Sequence, residues 1–203
     1  YIEGRYTGVI NSTFKDLSSE AISLQGNSSA DDKTYTVTDN LGTTAAGKFT
    51  VTGQDNTVNI INANNKTLFN LSNDTNLEIE NVAIKNSNGA VVKLNNANAT
   101  AKLTDVVISD TTSAVDNAVG SVDIISSEIK DLTSTAIVND VAGKVSITDT
   151  TFSNNAGEYI KNKGTVDIIA SANDYVLDNS TTGKILNDGT INLNGTAKKL
   201  TVS

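Results

Sequence analysis

The side chains that could do chemistry in this sequence are almost all carboxylates. The chain has 23 Asp and Glu residues and no His or Cys, and Arg5 is its only arginine. Without imidazole or thiol groups it lacks the usual general bases near neutral pH and the usual pairs of nucleophile and base. A glycosidase can work with two carboxylates alone, and the candidate pairs are Asp105 with Asp149 and Asp123 with Glu128. Neither pair is accompanied by aromatic residues that would stack on a sugar, so we expect no catalytic residues and no enzyme activity.

Composition also restricts the class of partner. The formal net charge is −8, so no basic patch is available to neutralise a phosphate backbone, and we expect no binding to nucleic acid. No apolar run is long enough for a membrane-spanning helix, so we expect no direct membrane insertion of this segment. The chain is rich in Asn, Thr, Ser and Asp, which are poor helix formers, whereas its Val, Ile and Thr residues favour strands.

A short strand pattern recurs from residue 77 onward. In each copy two apolar residues flank one other residue: Leu77-x-Ile79, Ala101-x-Leu103, Val122-x-Ile124, Val145-x-Ile147, Val166-x-Ile168 and Ile191-x-Leu193. The second apolar residues of successive copies are 24, 21, 23, 21 and 25 residues apart. The alternation predicts strands with one buried face, and a period of this size indicates a repeat architecture.

Each repeat contains two further apolar segments. An apolar residue follows five residues after the strand pattern, at Ile84, Ile108, Ile129 and Phe152. A third segment follows at Ala90-Val91, Ala114-Val115, Ala136-Ile137 and Glu158-Tyr159-Ile160. Three short strands per repeat predict an all-β fold, a single-stranded right-handed parallel β-helix (solenoid) with three strands per coil and roughly 21–25 residues per coil. We expect loops between coils, such as Asn95–Thr100 and Asn139–Gly143, to absorb the variation in repeat length.

The amino-terminal part follows the pattern more loosely. We expect residues 1–53 to form irregular coils with an inserted hairpin or loop, and residues 54–203 to form the regular repeats. Residues 1–5 include Ile-Glu-Gly-Arg, the recognition sequence of a protease used to remove tags. These residues are therefore either derived from a tag or part of the first strand region.

Polar residues recur at two predicted corners. One column contains Asn86, Asp110, Asp131 and Asn154, and the other contains Asn81, Asp105, Ser126 and Asp149. Stacked Asn side chains can form a hydrogen-bonded polar ladder along the axis, whereas Asp110 above Asp131 places like charges about 5 Å apart. The charges either splay apart in solvent or bind a cation such as calcium, which prefers oxygen ligands. Asp110 and Asp131 are thus the candidate metal ligands, and no other cofactor site is expected.

The recurring Ile-x-Asn/Asp sequence followed by Ala-Ile or Ala-Val resembles the parallel β-helix repeats of pectate-lyase-like proteins and of bacterial autotransporter passenger domains. Phe152-Ser153-Asn154-Asn155 is similar to the Phe-x-x-Asn motif of polymorphic outer-membrane proteins and related adhesins. The resemblance covers about residues 54–203. It implies secretion across the outer membrane as part of an extended passenger rod, without the His, Arg and Asp constellations of the catalytic pectate-lyase-like members.

Three functions remain open at this stage. The first is an adhesive or structural rod, extracellular at the bacterial cell surface, either anchored in the outer membrane or secreted, with a surface protein or glycan of a host or neighbouring cell as partner. The second is a self-assembling subunit of a surface fibre or filament that binds other copies of itself through end-to-end stacking of coils. The third, which the poor inventory of catalytic side chains disfavours, is a polysaccharide-active enzyme.

Overall fold

The computed structural model describes residues 2–3, 22–25, 33–37, 47–53, 58–62, 67–72, 74–85, 88–171, 175–177, 184–195 and 200–202. All regular structure in these ranges is β, and no helix in them has the length and hydrophobicity needed to cross a membrane. The strands stack in parallel and form a β-solenoid of about five turns. The prediction of an all-β parallel solenoid is confirmed.

The strands have the following bounds: β1 Ile2–Glu3, β2 Ile22–Gln25, β3 Lys33–Val37, β4 Gly47–Gly53, β5 Val58–Asn62, β6 Phe69–Leu71, β7 Thr75–Glu80, β8 Ala83–Lys85, β9 Ala90–Thr104, β10 Val107–Ser109, β11 Ser113–Ile125, β12 Glu128–Lys130, β13 Ile137–Thr148, β14 Thr151–Ser153, β15 Ile160–Asn162, β16 Thr165–Ala170, β17 Tyr175–Leu177, β18 Ile185–Asn187, β19 Thr190–Gly195 and β20 Leu200–Val202. They form sheets of 12, six and two strands.

The recurring strand pattern sets the register of the largest sheet. Ile79 of β7 pairs with Leu103 of β9, and the same column continues through Ile124, Ile147, Ile168 and Leu193. Every pairing is parallel, because each turn brings the chain back to the same side of the solenoid in the same direction. The sequence period is therefore the length of one turn.

The second predicted strand of each repeat lies in the six-stranded sheet, where β8, β10, β12 and β14 stack in register. The third strand differs from the prediction in one respect. In β9, β11 and β13 it runs without interruption into the first strand of the next turn, and the register shifts between Asn117 and Val119. A β-bulge bends the strand there, so two predicted strands become one strand that covers two sides.

The core is built from columns of equivalent residues. Burial alternates along the strands, as in β7 with Thr75, Leu77 and Ile79 buried and Asn76 exposed. The inward column of the six-stranded sheet is buried and contains Ile84, Ile108, Ile129 and Phe152. Phe152 stacks on Tyr159, with ring centroids 5.4 Å apart. Stacking closes an apolar interior that one turn could not bury alone.

The segment predicted to hold a hairpin or loop contains β3 and β4. β3 pairs in parallel with β5, and β4 pairs in parallel with β2 and β7. The two strands thus lie in different sheets. Before residue 47 the structure describes only residues 2–3, 22–25 and 33–37, so the boundary at residue 53 and the tag-derived origin of residues 1–5 stay predictions.

Candidate functional site

The two polar corners predicted from the sequence share an unusual backbone conformation. Asp110, Asp131 and Asn154 have φ angles of 53°, 55° and 53°. The other column contains Asn81, Asp105, Ser126 and Asp149, with φ angles of 45° to 56°. Asn and Asp are the non-glycine residues that adopt this left-handed conformation most readily. Each column marks a sharp corner, and its residue types suit that backbone. Asn86 lies outside the described residues.

Asp110 and Asp131, the candidate metal ligands, are exposed and follow strands β10 and β12 directly. Lys130 lies beside them and forms a 2.9 Å ion pair with Glu128. Its pKa is raised, first by the hydrogen bond to Glu128 and also by the charges of Asp131 and Asp110. Within the described ranges no group of three or more His, Cys, Asp or Glu residues is arranged to hold a metal ion. The calcium site stays a prediction that rests on two carboxylates.

The structure places the carboxylate pairs that were considered for catalysis. Asp105 and Asp149 lie in one column with Ser126 between them, which separates them by two strand spacings, or roughly 10 Å. The Asp149 carboxylate accepts hydrogen bonds from the Ser171 backbone, at 2.9 Å, and hydroxyl. Asp123 is exposed, while Glu128 is paired with Lys130.

A column of asparagine amides, here called the Asn ladder, lies on a different side of the solenoid. It contains Asn117, Asn139, Asn162 and Asn187. Asn117 Nδ2 donates to Asn139 Oδ1 at 2.9 Å, Asn139 Nδ2 to Asn162 Oδ1 at 2.8 Å, and Asn162 Nδ2 to Asn187 Oδ1 at 2.7 Å. Every bond runs the same way, so the ladder is directional.

Each ladder amide also binds the backbone of the corner that follows it. Asn139 Nδ2 lies 3.2 Å from the carbonyl oxygens of Gly143 and Thr165. Asn162 Nδ2 contacts the Gly164 carbonyl at 3.2 Å, and its Oδ1 accepts the Gly164 N–H at 3.0 Å. Buried polar groups are costly unless hydrogen-bonded. The ladder therefore satisfies the main chain at the place where the strand bends inward.

A glycine column accompanies the Asn ladder. Gly120 pairs with Gly143, and Gly164 and Gly189 occupy the same place in the next turns. A Cβ added at Gly164 would lie 2.3 Å from the Gly143 carbonyl oxygen and 2.8 Å from Asn139 Nδ2. The close approach of the backbone to the amides leaves no room for a side chain.

The Asn ladder begins at Asn117. The same column holds Leu71 and Leu94 in the preceding turns, so Asn117 has an aliphatic neighbour on one side and Asn139 on the other. Its Oδ1 is buried and has no hydrogen-bond partner among the described residues. The column thus changes from apolar to polar between Leu94 and Asn117.

Reasoning from the sequence missed this ladder. A signal was present, because an Asn stands two residues after each third-strand residue Val115, Ile137, Ile160 and Ile185, and a Gly follows within two to four residues. In an Asn-rich chain this pattern is easily overlooked. Asn is usually exposed, and the inward-facing positions of a strand are usually apolar. A pattern of apolar residues therefore does not indicate an inward-facing Asn.

Over the four turns from Ile79 to Ile168, most of the variation in turn length lies at one corner, here called the ladder corner, between each ladder position and the first strand of the next turn. The distances are seven residues from Leu94 to Ala101, five from Asn117 to Val122, six from Asn139 to Val145, four from Asn162 to Val166 and four from Asn187 to Ile191. Over the same four turns, five residues separate the first-strand column from the second, as from Ile79 to Ile84, whereas nine separate Val51 from Ile60 in the preceding turn. Residues 95–100 and 139–143, predicted to be loops, lie within β9 and β13, and shifts in strand register there take up the difference in length between turns.

The surface of the ladder corner is polar with one prominent apolar side chain. Asn95 Nδ2 donates to Asn70 Oδ1 at 2.9 Å, and Asn98 Nδ2 donates to Asp74 Oδ1 at 3.2 Å, so loops of adjacent turns are tied together. Val141 is 77% exposed. The length of this corner varies from turn to turn, and the strand register shifts within it while the columns on either side stay aligned.

Comparison of the chain with protein-family models, with curated proteins and with solved structures gives no match in any of the three.

Proposed function

We propose that the chain is a non-catalytic rod at the outside of a bacterial cell, which presents the loops of the ladder corner to a surface protein or glycan of a host or neighbouring cell. The observation that carries this proposal is that, over the four turns from Ile79 to Ile168, turn length varies mainly at that corner. A rigid scaffold with one variable edge is the arrangement that repeat proteins use for recognition.

The packing and hydrogen bonding of the interior support a structural role. Apolar columns and the Asn ladder continue from turn to turn. Among the described residues, most large apolar side chains pack in the core. The Phe-x-x-Asn motif fits the same reading. Phe152 is buried, Asn154 has a left-handed corner conformation, and Asn155 Oδ1 accepts the Leu132 N–H at 3.0 Å. Three residues of that motif thus have structural roles, which supports the rod.

The extracellular bacterial location is part of the proposal. It is supported by the resemblance of the repeats and of residues 152–155 to autotransporter passengers and outer-membrane adhesins, and it agrees with an acidic chain free of cysteine. The autotransporter relationship is likewise proposed on these residues alone.

A binding experiment tests the adhesive role. The fluorescently labelled chain is applied to arrays of glycans and extracellular-matrix proteins and to cultured epithelial cells. Val141→Asp should weaken binding about tenfold, because an exposed apolar side chain at an interface is replaced by a charge. Thr151→Asp, at an exposed position of β14 away from the ladder corner, is the matched control and should bind as the unmodified chain does. Equal loss in both variants, or no binding to any probe, would contradict adhesion by the ladder corner.

A further inference from the structure

Four polar side chains at the ladder corner are hydrogen-bonded to one another across two adjacent turns. Asn95 Nδ2 donates to Asn70 Oδ1 at 2.9 Å, and Asn98 Nδ2 donates to Asp74 Oδ1 at 3.2 Å. The backbone N–H of Asn98 also donates to Asn96 Oδ1 at 2.8 Å, which fixes the bend that carries Asn98. Asn70, Asp74, Asn95 and Asn98 are here called the amide cluster. These hydrogen bonds restrict the rotation of its side chains.

Each of these hydrogen bonds uses one polar group of an amide and leaves the other available. Within the described part of the chain, Asn70 Nδ2 has no acceptor, and Asn95 Oδ1 and Asn98 Oδ1 have no donor. Asp74, Asn95 and Asn98 are exposed, and Asn70 is half-buried. The amide cluster therefore offers a hydrogen-bond donor on one turn and acceptors on the next, in fixed positions.

This combination of groups matches the hydroxyls of a sugar. A hydroxyl both donates and accepts hydrogen bonds, so neighbouring hydroxyls of one sugar can accept from Asn70 Nδ2 and donate to Asn95 Oδ1 or Asn98 Oδ1. Side chains that are already oriented by a first hydrogen bond lose little rotamer freedom when a ligand binds. The amide cluster is therefore preorganised for a ligand rich in hydroxyl groups.

The surroundings of the amide cluster disfavour other classes of partner. Leu94 and Ala99 of this corner are fully buried, whereas a protein interface needs an apolar or aromatic anchor at its centre. An anionic glycan would meet Asp74 and a chain with a net charge of −8. The nearby Lys93 is occupied by a 2.7 Å ion pair with Asp116. A neutral glycan needs no apolar anchor and meets no charge repulsion.

We infer that the amide cluster is a binding site for a neutral oligosaccharide. The inference rests on the proposed adhesive function, and it narrows the partner from a surface protein or glycan to an uncharged glycan. Val141 lies two turns further along the same corner, roughly 10 Å away, and its exposed side chain can pack against the C–H groups of a sugar ring. An oligosaccharide, unlike a monosaccharide, is long enough to contact both places.

Binding is measured on an array that holds neutral glycans ending in galactose, N-acetylglucosamine or fucose beside sialylated and sulfated glycans. The 203-residue chain is displayed in many copies on fluorescent beads, because a single site without aromatic residues binds weakly and multivalency raises the overall affinity. We expect binding to neutral glycans, and binding to the charged glycans that is at least tenfold weaker.

Alanine substitutions locate the site on the chain. Asn95→Ala and Asn98→Ala should each lower binding at least fivefold, since each removes an acceptor for a sugar hydroxyl and a hydrogen bond that orients the cluster. Asn192→Ala is the matched control, because the exposed Asn192 donates to Asp167 Oδ1 at 2.7 Å away from the ladder corner. This variant should bind as the unmodified chain does. Urea denaturation of all three variants shows that the fold is retained.

The outcomes separate this inference from the adhesive role itself. Equal losses in Asn98→Ala and Asn192→Ala, or equal binding of neutral and charged glycans, would overturn the amide cluster as a site for neutral glycans. Binding to matrix proteins or cells that Val141→Asp weakens, without binding to any glycan, would also overturn it, but would leave adhesion by the ladder corner intact with a protein as partner. No binding to any probe would overturn both.

Discussion

Asn117 pairs in register with Leu94, and the buried Oδ1 of Asn117 has no hydrogen-bond partner among the described residues. The Asn ladder thus starts with an unsatisfied acceptor and continues through bonds that all run toward Asn187. An unpaired buried carbonyl costs about 1–3 kcal/mol. The first and the middle residues of the ladder are therefore not equivalent, and substitutions at the two positions should change the free energy of unfolding by different amounts.

Leucine substitutions in the Asn ladder should differ in cost according to position. Asn139→Leu removes two amide–amide bonds and should lower the free energy of unfolding by about 2–4 kcal/mol. Asn117→Leu removes one such bond and the unpaired Oδ1 of Asn117, but it leaves Asn139 Oδ1 without its donor. Because it also extends the column of Leu71 and Leu94, we expect a smaller loss, of about half that size. Urea denaturation followed by circular dichroism gives both values. Equal losses would show that the unpaired oxygen is satisfied in solution.

Alanine at Gly164 should destabilise the solenoid. The added Cβ would lie 2.3 Å from the Gly143 carbonyl oxygen and 2.4 Å from that of Asp140, and the backbone must shift to relieve the contact. We expect a loss of about 2–3 kcal/mol in the free energy of unfolding. Lys163→Ala is the control, since Lys163 is exposed and its ion pair to Asp140 is 3.8 Å long, and its effect should stay within about 0.5 kcal/mol.

Substitutions at Asp131 distinguish a conformational role from an electrostatic one. With φ at 55°, Asp131→Asn and Asp131→Gly should change the free energy of unfolding by less than about 0.5 kcal/mol, whereas Asp131→Val should cost about 1–2 kcal/mol. The measurement is thermal unfolding with and without calcium. If Asp131→Asn costs as much as Asp131→Val, and calcium stabilises only the unmodified chain, the carboxylate acts as a ligand rather than as a corner residue.

The stability contribution of Glu158 should depend on pH. Thr135 Oγ1 donates to Glu158 Oε2 at 2.5 Å, and this bond, followed by a backbone hydrogen bond, lowers the pKa of Glu158 below its ordinary value of 4.5. Because the folded pKa is the lower one, the stabilisation is present above 4.5 and is lost as the pH falls through the folded pKa. The difference in stability between the unmodified chain and Glu158→Gln should therefore shrink below that pH.

A titration of Glu158 by carbon NMR checks the cause directly. Thr135→Val removes the donor and should raise the pKa of Glu158 toward its ordinary value. A titration curve that does not move in this variant would assign the lowered pKa to the backbone hydrogen bond and to the charges of Lys161 and Lys184 instead.

The sequence predicts the parts of the fold that depend on repeated burial. Leu77-x-Ile79 and its equivalents set the register of the largest sheet, and the two corner columns coincide with residues of left-handed conformation. These features are predictable because each turn must place an apolar side chain in the core and, at the bend, a residue that readily adopts the left-handed conformation. Continuity of β9, β11 and β13 across a bend was not predictable, since it depends on bulge geometry rather than on residue type.

The Asn ladder shows why the interior was only partly predictable. Leu94 and Asn117 occupy one column although their chemistry differs, so no residue type marks that column throughout the chain. Only the register reveals that the amides meet. The polar ladder predicted for Asp110, Asp131 and Asn154 and their suggested cation stay predictions, because their backbone conformation alone accounts for the choice of residue.

The parallel stack also determines how the molecule responds to tension. Hydrogen bonds between strands lie along the rod axis, so a pull on the two ends acts on one turn at a time rather than on many bonds in parallel. One turn occupies about 4.8 Å of the axis, yet the 23 residues between ladder partners such as Asn139 and Asn162 extend to about 75–80 Å once released. A stretched rod would therefore lengthen in discrete steps of about sixteen times the height of a turn, dissipating mechanical work while the remaining turns stay folded.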